Sequence, residues 1–166
     1  MQITRIDPLS IRGIEGEIIG KFDRYMNYSN SEFGTVIPYF NKLVLTSSEC
    51  DGEHVPQIGH VGNQSHIKRL LESTLYLDLA AELRERDPNF EKAAAVAFAK
   101  ARETTVCELV QMEVSLPGFR STTEVRWYRY IRPIQFSRTL LLADLTLLAP
   151  GQEHLFALDT ECRLAN

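Results

Sequence analysis

The last third of the chain alternates apolar and polar residues with the period of extended backbone. In CELVQMEVSLPG (107–118), Val110, Met112, Val114 and Leu116 fall on one face, and Gln111, Glu113 and Ser115 on the other. STTEVRWYRYIRPIQFS (121–137) is aromatic and basic. RTLLLADLTLLAP (138–150) sends Leu141, Ala143, Leu145 and Leu147 one way and Asp144 and Thr146 the other. Pro117-Gly118 marks a turn between the first two runs. The pattern predicts three consecutive antiparallel strands with an inner apolar face made by Met112, Val114, Leu145 and Leu147.

The first two thirds switch between helical and extended periods. Ile11, Ile14, Ile18, Phe22 and Tyr25 recur at steps of three and four, predicting a helix capped by Ser10 and running to about Tyr28. NYSNSEFG (27–34) ends it, and a loop around Pro38 leads to a strand in NKLVLTSSE (41–49). The turn ECDGE (49–53), in which Gly52 accepts positive φ, connects to a second strand in HVPQIGHVG (54–62). From Ser65, the residues Ile67, Leu70, Leu71, Leu75, Leu79 and Leu83 share one helical face, with a break near Thr74. Asp87-Pro88 then opens a second middle helix to about Thr104; its alanine-rich EKAAAVAFAKA suits close packing, with Phe90 and Phe98 as anchors. The tail GQEHLFALDTECRLAN carries one short alternation, fit for an edge strand or a docking arm.

Composition narrows the class. With 166 residues, 44% apolar and 24% charged, the chain suits one globular domain, residues 1–166, with an N-terminal helical extension (1–30) and a C-terminal tail (150–166). A net charge of -4 offers no general attraction to a phosphate backbone. Arg126, Arg129 and Arg132 lie among Trp127, Tyr128 and Tyr130, but alternation sends Arg129 to the face opposite the other two, so they form no single patch and nucleic acid is not expected as a partner. Cys50, Cys107 and Cys162 are odd in number and far apart, against a disulfide framework, and no run nears the roughly 20 apolar residues of a spanning helix. A cytoplasmic protein without membrane contact is expected.

The order helix, two strands, helices, three strands resembles the PAS-like sensory domain, and most closely a bacterial PAS-like group. The resemblance is carried by FDRYMNYSNSEFGTVIPYFNKLVLTSSE (22–49), IGHVGNQSHIKRLL (58–71) and the basic-aromatic VRWYRYIRPI (125–134). It implies an α+β fold: a five-stranded antiparallel sheet with helices on one face and an N-terminal helix. The candidates to line a cavity between helices and sheet are Ile58, His60, Leu70, Phe98, Met112, Val114, Trp127, Tyr128, Leu145 and Leu147, most of them expected to be packing residues only. The middle helices are long for such a domain.

Cofactor chemistry finds little support. Residues 88–106 contain no histidine where haem-sensing PAS domains commonly place one, and no cysteine motif of the flavin-photosensing type occurs. His54, His60 and His66, with Cys50, are chemically suitable zinc ligands, but six residues of strand separate two side chains by roughly 20 Å, so no metal site is expected and the cofactor stays unknown. Nucleophile elbow, P-loop and dinucleotide fingerprint are absent from the sequence, and VGNQSH (61–66) reads as a turn into a helix capped by Ser65. The expected function is a non-catalytic module binding a small molecule or a signalling protein, dimerising through its N-terminal helix. Two alternatives stay open. One is a small cavity enzyme of the isomerase or dehydratase kind, which needs His60, Asp144 and Tyr128 to meet; the other is a pocketless adaptor.

Overall fold

The computed structural model describes residues 1–28, 33–71, 85, 88–114, 122–152 and 155, with backbone alone at 33–35, 69–71 and 114. The fold is α+β. Its strands are β1 (Gln2–Arg5), β2 (Leu43–Ser47), β3 (Ile58–Val61), β4 (Val106–Val114), β5 (Thr123–Phe136) and β6 (Thr139–Leu148); its helices are α1 (Gly13–Tyr28), α2 (His66–Leu71) and α3 (Pro88–Ala101). One antiparallel, six-stranded open sheet has the order β1-β4-β5-β6-β2-β3. The meander β4-β5-β6 forms as the alternation predicts, and the hairpin β2-β3 docks on it through β2 and β6. The unanticipated strand is β1, which pairs along β4 from Gln2↔Gln111 to Arg5↔Glu108 and makes six strands where five were expected. Four residues with no fully buried position carry too little pattern to announce a strand.

Helices lie on both sides of the sheet. On the first side α1 buries Ile19, Phe22 and Met26, none with any exposed surface, against Leu43, Leu45, Tyr130, Ile134, Ala143 and Leu145. Each such side chain contributes roughly 1.5–3 kcal/mol by leaving water. The expected stripe was slightly misphased: Ile14 and Tyr25 point outward, and Ile19 and Met26 take their place. The start also differs. Asp7, not Ser10, caps a short 3-10 turn at Pro8–Ser10, and α1 begins only at Gly13. The segment around Pro38 is a 3-10 helix, Phe33–Lys42, rather than a loop.

On the second side α3 presents Phe90, Ala94, Ala97, Phe98 and Ala101 to the sheet, and α2 presents Ile67. α3 starts at Pro88 as its proline predicts, and ends at Ala101, short of Thr104. At Asp51-Gly52 the chain forms a bend, not the expected tight hairpin turn, with Gly52 at φ 82 and the Asp51 carboxylate accepting from the Glu53 and His54 N–H groups. It sits within a longer loop, so β3 begins at Ile58 instead of His54. Gly62 ends β3 where a Cβ would stand 2.3 Å from the Asn41 carbonyl, and this close approach turns the chain into α2. The Ser65 hydroxyl is buried with no hydrogen-bond partner among the described residues and does not cap that helix. The second part of the first middle helix and the tail alternation fall mostly outside the described residues.

Because both faces are covered, β6 is buried from Leu142 to Leu148 without interruption. Pro133 is tolerated in β5 because β4 pairing stops at Ile131, leaving only β6 alongside. Among the described residues no helix is long and apolar enough to cross a membrane.

Candidate functional site

The register of the meander gathers charge at the middle of the second face. Glu108 on β4 is paired with Arg129 on β5, which is paired with Thr146 on β6; Asp144 lies two residues further along β6, opposite Ile131. All four are at most 6% exposed. Arg129 Nη2 donates to Glu108 Oε2 at 2.7 Å, a short charge-assisted bond between buried partners. The guanidinium also stands 5.9 Å from the centre of the Phe90 ring, and Arg5 of β1 approaches Glu108 from outside at 4.0 Å.

A cavity of about 30 Å³ adjoins this row, room for roughly two water molecules. Val44, Ile58 and Trp127 form its floor, α3 closes it with Phe90, Ala94 and Phe98, and Val55 and Ile67 form its sides; Arg129 and Asp144 are its only charged lining groups among the described residues. Two contacts hold the walls. Glu91 of α3 accepts from the Val55 N–H at 3.0 Å and stands 3.5 Å from His54 Nδ1, pinning the loop before β3. His66 Nδ1 accepts from the Leu148 N–H at 2.8 Å, pinning α2 to β6.

The electrostatics are unusual for a core. Burial pushes the Asp144 carboxyl up from its ordinary 3.8 to about 6, with Arg129 and the Thr146 hydroxyl, which donates to Oδ1 at 3.1 Å, pulling the other way and Glu108 adding to the rise. Trp127 Nε1, Arg129 Nε and the Thr46 hydroxyl on the same face are buried with no hydrogen-bond partner among the described residues. Each such orphan costs about 1–3 kcal/mol and calls for a physical explanation.

The first face handles its polar groups differently. The Tyr130 hydroxyl donates to Asp23 Oδ1, and Arg132 donates to Asp23 Oδ1 and Asn27 Oδ1, each at 3.1 Å, so α1 is anchored by a paired cluster. Burial, followed by the hydrogen bond to Asp23, raises the Tyr130 hydroxyl above its ordinary range. Burial likewise pushes the Cys107 thiol up to about 12, which keeps it neutral.

The candidates named from sequence divide between the faces. Ile58, Phe98 and Trp127 line the cavity. Met112 shares their face but packs beside Phe90 and Trp127 in a neighbouring cluster. Tyr128, Leu145 and Leu147 lie on the α1 side, as does His60, whose Nε2 is 3.0 Å from the Phe40 carbonyl and whose ring stacks on Phe40 at 3.7 Å. The side chains of Leu70 and Val114 lie outside the described residues. The predicted inner face is therefore corrected: Met112 and the pair Leu145–Leu147 point to opposite sides of the sheet. The cavity side of β6 is instead Leu142, Asp144, Thr146 and Leu148, and since both sides are buried, apolar alternation in β6 could not tell them apart.

His60 and Tyr128 stand across the sheet from Asp144, so the acid-base trio needed for the enzyme alternative is not assembled. His54 lies in the loop rather than sharing a strand with His60, and no group of three potential metal ligands occurs among the described residues. Arg126, Arg129 and Arg132 each face a carboxylate: Glu124, Glu108 and Asp23.

Glu108 was overlooked, yet a signal exists. It is in phase with Val106, Val110 and Met112, Arg129 with Val125, Trp127 and Ile131, and Asp144 with Leu142 and Leu148; a charge in step with an apolar face marks a buried ionic row.

Comparison with protein-family models, curated proteins and solved structures found no match to this chain.

Proposed function

We propose that this chain is a PAS-like sensory or regulatory module that holds a small molecule between α3 and the sheet and relays occupancy to a signalling partner. The observation that carries the reading is the cavity itself: apolar walls, with Arg129 and Asp144 converging on it and buried donors left without partners among the described residues. The element order, a hairpin followed by helices and a meander whose last strand returns to the hairpin, supports it. The route of relay is the sheet, since β6 carries Asp144 on the cavity side and Ala143 and Leu145 under α1.

Trp127 is the only tryptophan in the chain and lines the cavity, so its fluorescence reports on the site. In a metabolite screen, a binder is expected to shift Trp127 emission and raise Tm together. A screen in which nothing moves either signal overturns the reading and favours the adaptor alternative, to which the small cavity volume lends weight.

Self-association through the outer surface of α1 belongs to the same reading, because Ile14 and Tyr25 remain exposed there. Light scattering is expected to give a dimer that Ile14→Glu dissociates. A monomer at every concentration removes this part of the proposal.

A further inference from the structure

Resting on that reading, we propose that the cavity's ligand is a small monocarboxylic acid, of formate to acetate size, bound with one proton shared between it and Asp144. Three observations converge. Trp127 Nε1 and Arg129 Nε are buried N–H donors without acceptors among the described residues, belonging to two side chains that line one cavity, so the missing partner carries acceptor oxygens. One of the donors is cationic, which favours a carboxylate over a neutral carbonyl. Asp144 supplies the opposite function: Thr146 occupies its Oδ1, and no hydrogen bond reaches Oδ2 among the described residues.

Charge balance explains why the proton accompanies the ligand. Among the buried groups Arg129 is already matched by Glu108, with Arg5 reaching Glu108 only from the solvent side at 4.0 Å, so an ionised Asp144 leaves the buried row one negative charge in excess. A bare carboxylate would double that excess in a desolvated place. A carboxylate that arrives with a proton leaves the net charge unchanged, and the acid–carboxylate pair replaces one repulsion with one hydrogen bond. The elevated affinity of buried Asp144 for a proton makes this uptake favourable near neutrality. Among the described residues Arg129 on β5 and Glu108 on β4 are the charged groups acting on Asp144; on the covering elements, Glu91 and His54 are engaged with each other and Glu91 with the Val55 N–H, while the His66 ring accepts from Leu148. Size completes the case, because about 30 Å³ admits a few heavy atoms and excludes a ring cofactor.

The test titrates the full chain with formate, acetate, acetamide and methylammonium, following Trp127 emission and calorimetry in two buffers of different ionisation enthalpy. Acetate is expected to saturate with uptake of close to one proton, its apparent Kd weakening about tenfold per pH unit above about pH 7. Asp144→Asn is expected to abolish that pH dependence. Should that variant not fold, Trp127→Phe, read by calorimetry, is expected to weaken acetate about tenfold through loss of one donor. Acetamide or methylammonium binding as tightly as acetate, or acetate binding without proton uptake, overturns the carboxylic acid while leaving the small-molecule reading intact. Silence from these probes alongside a hit in the metabolite screen does the same; silence in both overturns both.

Discussion

The two faces of one sheet treat buried charge differently. Under α1, Arg132 and Tyr130 reach the rim of the helix and find Asp23 and Asn27, leaving an apolar interior of Ile19, Phe22, Met26 and Leu145. Under α3, Arg129 stays at the centre with Glu108, Asp144 makes no salt bridge among the described residues, and a cavity remains. Arg129 and Arg132 come from the same strand, so strand composition does not set the difference. What differs is the covering helix: α1 brings acceptors to its arginine, whereas α3 brings phenylalanines and alanines. A face closed by complementary groups is scaffold; one left with unmatched groups has capacity for something else.

The sharpest break in this contrast is Glu108→Ala, which strands the Arg129 guanidinium in the core. We expect a loss of about 3–5 kcal/mol in chemical denaturation, a large fraction of a small domain's stability. A loss under 1 kcal/mol would mean that the row is hydrated and the two faces are alike.

Next in size is Asp144→Asn. The folded chain holds the Asp144 proton up to about pH 6, while the unfolded chain releases it near 3.8. Between those values the folded state binds more protons, so stability falls as pH rises through the window, and the cost is complete above it. The cost is about 3 kcal/mol. The asparagine variant should therefore gain stability over the parent above about pH 6 and lose that advantage below about pH 4. Parallel stability–pH curves for the two proteins would refute the burial of this charge.

Packing provides a paired test. Ala143→Val forces a branched side chain into the closed face, where Ala143 has no exposed surface, and should cost about 1–3 kcal/mol. Ala94→Val grows into the cavity and should stay within about 1 kcal/mol of the parent by thermal melting. Equal costs would mean that the cavity is filled. The smallest effect is expected from Tyr130→Phe, because Arg132 still covers Asp23: about 0.5–1.5 kcal/mol, measured by urea unfolding.

Much of the fold was legible before any coordinates. The meander, both strands of the hairpin, the proline start of α3 and the helical run before Tyr28 all follow from periodicity and turn chemistry, which act within a few residues. Of the site, Ile58, Phe98 and Trp127 were legible, and Arg129 and Asp144 were noticed without their relation to Glu108. The choice of side failed for Tyr128, Leu145 and Leu147 because a strand buried on both faces carries leucine in both phases. His60 misled for a different reason: a register shift between Leu45 and Thr46 breaks the alternation of β3, so His60 pairs opposite Leu45 and stacks on Phe40 while Ile58, two residues before it, lines the cavity.

By itself, then, the sequence determined the α+β elements other than β1, the alternation of the three meander strands and the presence of charges in step with apolar positions, since these depend on local backbone geometry and on the cost of exposing apolar surface. Only the tertiary structure decided that β1 adds a sixth strand, that α1 and α3 take opposite faces, and that Glu108, Arg129 and Asp144 form one row beside a cavity. Those outcomes depend on register between strands distant in the chain and on which helix lands on which face, and no short window of residues encodes either.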